Sequence, residues 1–431
     1  MQFWDQNNEC MHRDEIEQVQ LERLQATLNR VQKNVRYFKK IFREIDFMAE
    51  DLSSLDDLKK LPFTTRKDLR DNYPYDMFAV PLREIVRLHA PARSIDKPVV
   101  MGFTVNDLNN WGQLMARCLS AVGVSKEDIV QVSLVPGKMI GPFGVQLGTE
   151  LIGSSVIPMS VGKDLNQLKI MRDFRTTSLV TTPSFALGLV HTMDSMGIDP
   201  IDFSLKHGIL GSEPWSESSR KKIESELNIS ATDIYGLAEV FGPGVAWECP
   251  EKKGLHIAED HFIPEIIDPV TLETLPPGTM GELVITTLTK EAFPLIRFRT
   301  GDITSINYEP CACGRTCSRI SRIFKRCDDI IVIKGNIVIP DQIGKILDRF
   351  DSDKPSYQIV VEQENDKDII TVLVEISDKI FFDEIKKSQR FLEEVQGDIF
   401  EYLGWEPKIK LVEPGTFDST EIVIDKRNFD D

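Results

Sequence analysis

The sequence predicts an α/β protein: a large N-terminal domain with mostly parallel sheets plus a β-rich subdomain, followed by a small C-terminal α+β domain. Three observations predict it. Between residues 128 and 236, buried-strand stretches alternate with helical ones, which implies a largely parallel sheet covered by helices. After Glu239 the texture changes to short strands separated by Pro/Gly turns such as "PPGTMG" (276–281). From 357 to 412 the pattern reads β, helix, β, the content of a separate domain of about 100 residues.

The elements follow in order. Residues 13–48 are charged, with Ile16, Val19, Leu21, Leu24, Leu28 and Val31 at helical spacing, which predicts an amphipathic helix. In "LPFTTRKDLRDNYPY" (61–75), Thr65 and Asp68 are spaced as a capping box for a short helix. Thr104 and Asp107 repeat that spacing before a helix running to about Ala121. Strands are expected at 128–135, 154–159, 178–182, 207–210 and 231–236, and helices at 141–153, 164–175, 184–196 and 216–227. "HFIPEIID", "GELVITTL" and "DITSI" supply the β-rich part, and a helix is expected over 380–403. The domain boundary falls between Arg326 and Asp329, giving domains 1–326 and 327–431.

A chain of 431 residues is too long for one ordinary core, so its length implies two or three domains. The formal net charge of -17 argues against a nucleic-acid partner or an anionic membrane surface. No apolar run reaches the roughly 20 residues a bilayer span needs, and the N-terminal stretch lacks the apolar core of a signal peptide. A cytoplasmic protein is expected. Seven cysteines in a long acidic chain do not suggest a disulfide framework. Cys10 and Cys118 stand alone; Cys249, Cys311, Cys313, Cys317 and Cys327 gather in one part of the chain.

Three segments carry candidate chemistry. "GSEPW" (Gly211, Ser212, Glu213, Pro214, Trp215) ends a predicted parallel strand, where open α/β sheets bind ligands. "DIYGLAE" supplies Asp233, a flat Tyr235, a turn at Gly236, and Glu239, a hard oxygen ligand for Mg²⁺ near phosphates. "PLIRFRTGDI" adds Arg297, Arg299 and Asp302, whose carboxylate can accept from both ribose hydroxyls. Taken singly, these also read as a plain turn, a core tyrosine and a surface salt-bridge cluster.

Taken in order, they resemble the phenylacetate–CoA ligase family of the adenylate-forming superfamily. The resemblance runs from "LPFTTRKDLRDNYP" through "LVTTPSFAL", "GSEPWSE", "DIYGLAEVFGPGVAWEC" and "GELVITTLTKEAFPLIRFRTGD" to "CACGRT" and "VIDKR". It implies a two-step reaction with ATP, Mg²⁺ and CoA. A small carboxylic acid, aryl or arylacetic, becomes an acyl-AMP; a small mobile domain then rotates and CoA displaces AMP. It also implies that Gly211, Ser212, Glu213, Pro214 and Tyr235 line adenine and the α-phosphate, with Asp233 and Gly236 among the nucleotide-binding residues. Glu239 would take Mg²⁺, Asp302 the ribose with Arg326 assisting, and Asp328 or Asp329 would be the hinge. Phe143 and Gly144 become candidates for the acyl pocket, and a homodimer is expected.

Two features depart from that family. Where it carries a Ser/Thr/Gly-rich phosphate loop before Lys-Pro, this chain has Pro91, Ala92, Arg93, Ser94, Ile95 and Asp96 before Lys97. Proline lacks an N–H, β-branched Ile95 resists positive φ, and Asp96 opposes phosphate. Two like charges 4 Å apart repel by roughly 4 kcal/mol at an effective dielectric of about 20, which Arg93 and Lys97 offset in part. Secondly, the adenylation lysine that precedes "VIDKR" is missing: no lysine stands between Lys410 and Lys426. The expectation is a fold that binds adenine nucleotide and CoA with weakened ligase activity. The alternatives are a nucleotide- or CoA-binding protein and an enzyme of the thioester half-reaction alone.

The cysteine cluster predicts a structural zinc held by Cys249, His256, Cys311 and Cys313, with Cys317 and His261 as alternates; the bland alternative is free thiols in tight turns. His89 precedes the altered loop and is a candidate to line the nucleotide cavity; His191 and His207 read as structural.

Overall fold

The computed structural model describes residues 2–90, 97–135, 140–333, 335–349, 356–364, 367–375, 385–413, 415–417 and 421–429. The altered loop at 91–96 and residues 414 and 418–420 of the lysine-free stretch lie outside these.

The helices are α1 (Gln6–Glu9), α2 (Arg13–Asn34), α3 (Arg36–Glu44), α4 (Arg66–Asp71), α5 (Val105–Ala121), α6 (Gly141–Ile152), α7 (Asp164–Asp173), α8 (Pro183–Met196), α9 (Glu217–Leu227), α10 (Pro340–Leu347) and α11 (Ile385–Leu403). The single helix expected over 13–48 is two, because Val35 adopts extended backbone (φ -92°, ψ 115°) between them. The break turns Val35, Phe38 and Phe42 into the core together with Leu24, Leu28 and Val31. Both capping boxes form: Thr65 and Asp68 open α4, and Thr104 and Asp107 open α5.

Flanking the altered loop, β1 (Arg87–His89) and β2 (Met101–Phe103) pair as an antiparallel hairpin. The main sheet contains β3 (Ile129–Ser133), β4 (Ser155–Met159), β5 (Ser178–Thr181), β6 (His207–Gly211), β7 (Ser230–Leu237), β8 (Gly242–Glu248), β9 (Leu255–Ile257), β13 (Ile306–Asn307) and β14 (Arg319–Ile320). Their spatial order is β13-β14-β9-β8-β7-β6-β5-β3-β4. The half from β7 to β4 is parallel and the half from β7 to β13 antiparallel. Within the parallel half β5 is buried throughout, whereas β4, at the sheet's edge, is partly exposed.

A second, antiparallel sheet runs β10 (Phe262–Ile267), β11 (Gly281–Thr287), β12 (Phe298–Thr304), β15 (Lys325–Arg326). A separate core forms beyond it. There, Ile331, Ile333 and Val338 of the hairpin β16 (Ile331–Ile333) and β17 (Asn336–Val338) pack with α10, α11 and a last sheet. That sheet is ordered β20 (Lys408–Val412), β19 (Lys367–Glu375), β18 (Tyr357–Glu364), β21 (Val423–Asp425). Among the described residues, no helix is long and apolar enough to cross a membrane.

Candidate functional site

The carboxyl ends of β6 and β7 face the edge of the second sheet, and most of the candidate residues meet there. Asp302 on β12 lies directly opposite Arg326 on β15, so a two-residue strand delivers the guanidinium to the carboxylate. Arg326 Nη1 donates to Asp302 Oδ1, and the Tyr235 hydroxyl donates to Asp302 Oδ2 at 2.6 Å. Arg326 also clasps Asp328 through Nε (2.7 Å) and Nη2 (2.8 Å), and reaches the Thr300 carbonyl at 2.7 Å. Asp329, the other hinge candidate, is exposed.

Burial sets the electrostatics. It raises the Asp302 carboxyl above its ordinary range even though Arg326 pulls it down. It raises the Tyr235 phenol well above its usual value, and the Asp302 carboxylate adds to that effect. For Arg326 burial works against the charge, but Asp302 and Asp328 more than reverse it. The result is a charge-assisted cluster 4% exposed at Asp302 that rigidly aims a carboxylate, a phenol and a guanidinium at one place.

Glu239, carried by the turn after β7, is buried, and its Oε1 accepts from Arg66 Nε at 2.9 Å. Arg66 Nη1 continues to the Thr300 carbonyl (3.0 Å) and Asp328 Oδ2 (3.4 Å). Arg66, at the first position of α4, thus ties the Glu239 turn to the Arg326–Asp328 pair. In the sequence its segment is a capped helix that opens the family resemblance, and local spacing gives Arg66 no role of its own; a cation among polar residues of an otherwise capped turn is the available signal.

The β6 end is strained. Ser212 holds φ +69°, a left-handed conformation uncommon outside glycine, and such strain clusters at functional turns. Gly211 closes β6, and Pro214 follows. Glu213 is engaged at both oxygens: Oε1 accepts from Ser184 N at 2.5 Å and Oε2 from Gly335 N at 2.9 Å. It therefore links the main sheet to the small C-terminal unit. Gly236 approaches the next strand so closely that an added Cβ would stand 1.8 Å from the Gly242 carbonyl oxygen. Asp233 lies apart from the Asp302 cluster. It pairs with Arg322 Nε at 3.3 Å, and its carboxyl is pushed up to about 7 by burial, with Arg322 opposing.

Phe143 and Gly144 occupy the first turn of α6. Phe143 lies 5.2 Å from the His89 ring, but Gly144 faces α5, where a Cβ would fall 2.2 Å from Trp111 Cε2. The glycine serves close helix–helix packing. A cavity of about 500 Å³ lies between residues 59–63 and 272–274 and shares no residue with the strand-end cluster.

The predicted metal ligands also meet. One ligand atom from each of Cys249, His256, Cys311 and Cys313 lies within 4.8 Å of the others, and all four residues are buried. Cys249 and Cys311 sulfurs stand 3.8 Å apart, and Cys313 Sγ is 3.4 Å from His256 Nε2. A tetrahedral zinc with Zn–S near 2.3 Å and Zn–N near 2.0 Å requires edges of about 3.8 Å and about 3.5 Å. The donor set and spacing fit. Cys317 Sγ contacts His256 Nδ1 at 3.4 Å, on the ring's other nitrogen, where an outer partner fixes a ligand's orientation. His261 is elsewhere, bonded through Nδ1 to Thr289 at 2.6 Å.

An N-terminal strap covers this knuckle. Glu9 takes Arg315 Nε at 2.7 Å, Cys10 Sγ donates to the Gly314 carbonyl at 3.3 Å, and the Thr316 hydroxyl donates to the Met11 carbonyl at 2.6 Å. Both Glu9 and Arg315 are buried.

Known proteins share this plan. A family model for AMP-binding enzymes matches residues 104–289, and one for the C-terminal domain of AMP-binding enzymes matches residues 335–430. The chain is 42% identical over 419 residues to a phenylacetate-coenzyme A ligase of Pseudomonas putida, covering 96% of this chain and 95% of that one. It is 41% identical to the Aromatoleum evansii protein of the same name, with the same coverage. Among solved structures, a 2-hydroxyisobutyryl-CoA ligase with 2-HIB-AMP and CoA in its thioesterification state matches with TM-score 0.91 at 24% identity, over 97% of this chain and 91% of that one. An open conformation of the same ligase matches with TM-score 0.73 at 24% identity, over 98% and 94%.

Proposed function

We infer the function from membership: the chain belongs to the phenylacetate–coenzyme A ligase family of AMP-binding enzymes. It is an acid–thiol ligase of the AMP-forming class. In such a reaction a carboxylate oxygen attacks the α-phosphorus of ATP and expels pyrophosphate. The CoA thiolate then attacks the acyl carbon and expels AMP. The acid assigned to this chain is an aryl or arylacetic one, on the likeness to relatives named for phenylacetate.

The observation that carries the nucleotide assignment is the convergence of Tyr235 and Arg326 on Asp302. Asp302 would take the ribose hydroxyls and Arg326 would hold it in place. Tyr235, with Gly211, Ser212, Pro214 and Gly236, would flank adenine and the α-phosphate. Asp233, held by Arg322, would support this wall from behind. Glu213 would act at the domain seam, and residues 326–329 would form the hinge between 1–326 and 327–431, with Asp328 released when the small domain turns.

Adenylation is the weakened step. The replacement of the glycine-rich loop and the missing lysine both remove groups that stabilise charge on the phosphates, and one such donor is typically worth about 10²-fold or more in rate. The test compares pyrophosphate release from ATP, phenylacetate and CoA with thioester formation from supplied phenylacetyl-AMP and CoA. Thioester formation from the adenylate is expected to be at least about 10²-fold faster. Equal rates would overturn the weakened step, and nucleotide binding with neither reaction would return the binding-protein reading.

Magnesium would enter with ATP. Glu239 is the carboxylate suited to it, since Mg²⁺ is held by one or two carboxylates together with substrate phosphates, and Arg66 contends for the same oxygen. It would neutralise charge on the phosphates. Zinc at Cys249, His256, Cys311 and Cys313 would be structural, cross-linking the β8–β9 turn to the 311–313 knuckle. The homodimer and a cytoplasmic location remain parts of the proposal, the former checked by sedimentation equilibrium.

A further inference from the structure

The turn between β10 and β11 carries a feature that the nucleotide site does not use. Val270 stands 87% exposed, the most exposed large apolar side chain among the described residues. Its turn holds it there firmly. Asp268 Oδ1 accepts from the backbone N–H of Val270 at 2.8 Å and of Thr271 at 2.9 Å. The Leu272 N–H then closes back on the Asp268 carbonyl at 2.9 Å. Leu272 itself holds φ +64°, a left-handed conformation that is costly for a bulky side chain. One exposed valine needs no explanation by itself; what lies beside it does.

Two residues on, Leu272 lines the cavity of about 500 Å³, and Ile45, Leu61, Pro62 and Phe63 add further apolar lining. The buried Arg297 also lines it, with its nitrogens already engaged. Glu265 takes Nε and Nη2, the Lys59 and Leu61 carbonyls take Nη1, and the Phe63 ring lies 4.0 Å away. The remaining lining charge is sorted by wall: Lys59 and Lys60 stand on one side and Glu273 on the other, all three exposed. The lysines pair within their own turn, with Asp56 and Asp57. Exposed pairs of that kind contribute little and are readily exchanged.

An apolar knob beside an apolar hole, with a basic wall across from an acidic one, makes a surface complementary to itself. A twofold axis through the mouth of the cavity exchanges the two walls between copies. It sets Lys59 and Lys60 of one copy against Glu273 of the other and carries each Val270 towards the other copy's cavity, the reciprocity of an isologous contact. We propose that the 268–274 turn and the 59–63 wall form the contact between two copies of this chain, with Val270 of each seated in the cavity of the other. Apolar lining with charge confined to the rim is the pattern of a protein interface, and the rigid turn lowers the ordering cost of forming it. The inference rests on the homodimer of the proposed reading and gives it a surface.

The test is sedimentation equilibrium on the full chain and its variants. Wild type is expected to dimerise with Kd below about 1 μM. Val270→Asp should weaken the dimer at least about 100-fold, because each dimer would then bury two unpaired carboxylates. Lys60→Glu and Glu273→Lys should each weaken it at least about tenfold by setting like charges together. Mixed one to one, these two variants should associate as a heterodimer at near wild-type affinity, because both crossed pairs are again opposite in sign. A monomeric wild type would overturn the surface and the homodimer together. A dimer unchanged by Val270→Asp, at an unaltered melting temperature, would overturn the surface and leave the homodimer to another face. Weakening in both charge variants without recovery on mixing would overturn the pairing of the walls. Should Val270→Asp not fold, the mixing experiment gives the decision.

Discussion

The Tyr235 hydroxyl lies 2.6 Å from Asp302 Oδ2, while Arg326 takes the other oxygen of the same carboxylate. β7 and β12 belong to different sheets, so this one carboxylate joins the two layers at the proposed nucleotide site. A ribose would have to share Asp302 with both partners, which makes their strengths measurable against each other.

Asp302→Asn keeps the shape but removes the charge that Arg326 needs. AMP affinity is expected to fall at least about tenfold, because hydrogen bonds to charged groups contribute about 1.5–3 kcal/mol. Tyr235→Phe removes one neutral donor and should weaken AMP by only about two- to tenfold. Calorimetry with AMP decides the order; a larger effect from Tyr235→Phe would contradict the assignment of Asp302 as the central acceptor.

Arg66 and Glu239 predict a metal-dependent asymmetry. Their 2.9 Å contact leaves Glu239 already neutralised when no Mg²⁺ is present. Arg66→Ala should weaken metal-free AMP binding by removing a cation from the cleft. It should also lower the Mg²⁺ concentration that half-saturates ATP binding, because Glu239 is released. Unchanged Mg²⁺ dependence in the variant would show that Glu239 does not meet the metal.

Much of this was legible in the sequence for definite reasons. Strand ends announce themselves through the glycine turns after β6 and β7, and both Asp302 and Arg326 stand out as charges beside apolar runs. Their direct opposition was hidden, because β15 is two residues long and carries no periodicity. Arg66 was hidden by distance: its partner Glu239 is far along the chain, and local spacing accounts for α4 without it. Gly144 shows the ambiguity of glycine, which marks a ligand approach and a helix contact alike until Trp111 is located. The clustering of cysteines was plain, but the contact of Cys317 with His256 Nδ1 depends on ring orientation, which no spacing encodes.

The metal assignment predicts coupled loosening of sequence-distant segments. Glu259 receives both Arg13 (2.9 Å) and the Ser318 N–H (2.7 Å), and Glu9 receives Arg315, so the strap rests on the cysteine knuckle. Purified protein is expected to hold one zinc per chain, and Cys313→Ser to lose it. Hydrogen exchange should then quicken at least about tenfold in 249–256, 311–318 and 2–13 together. Zinc-free protein with unchanged protection in all three segments would defeat the assignment.

Lys290 makes the stability of this core depend on pH. Burial lowers its ammonium to about 7, with Asp107 opposing only in part, against an ordinary value of 10.5. Between those values the unfolded chain carries the proton and the folded chain does not, so this group raises stability as pH rises from about 7 towards 10.5. Below about 7 both states are charged and the folded state bears the full penalty, on the order of a few kcal/mol. Lys290→Met removes that penalty while filling the space between Phe103 and Phe241. Without ligand, its melting temperature should exceed that of wild type at pH 6, and the gain should shrink as pH approaches 10. A lower melting temperature at pH 6, or a gain that grows with pH, would show that contact with the rings outweighs the cost of burying the charge.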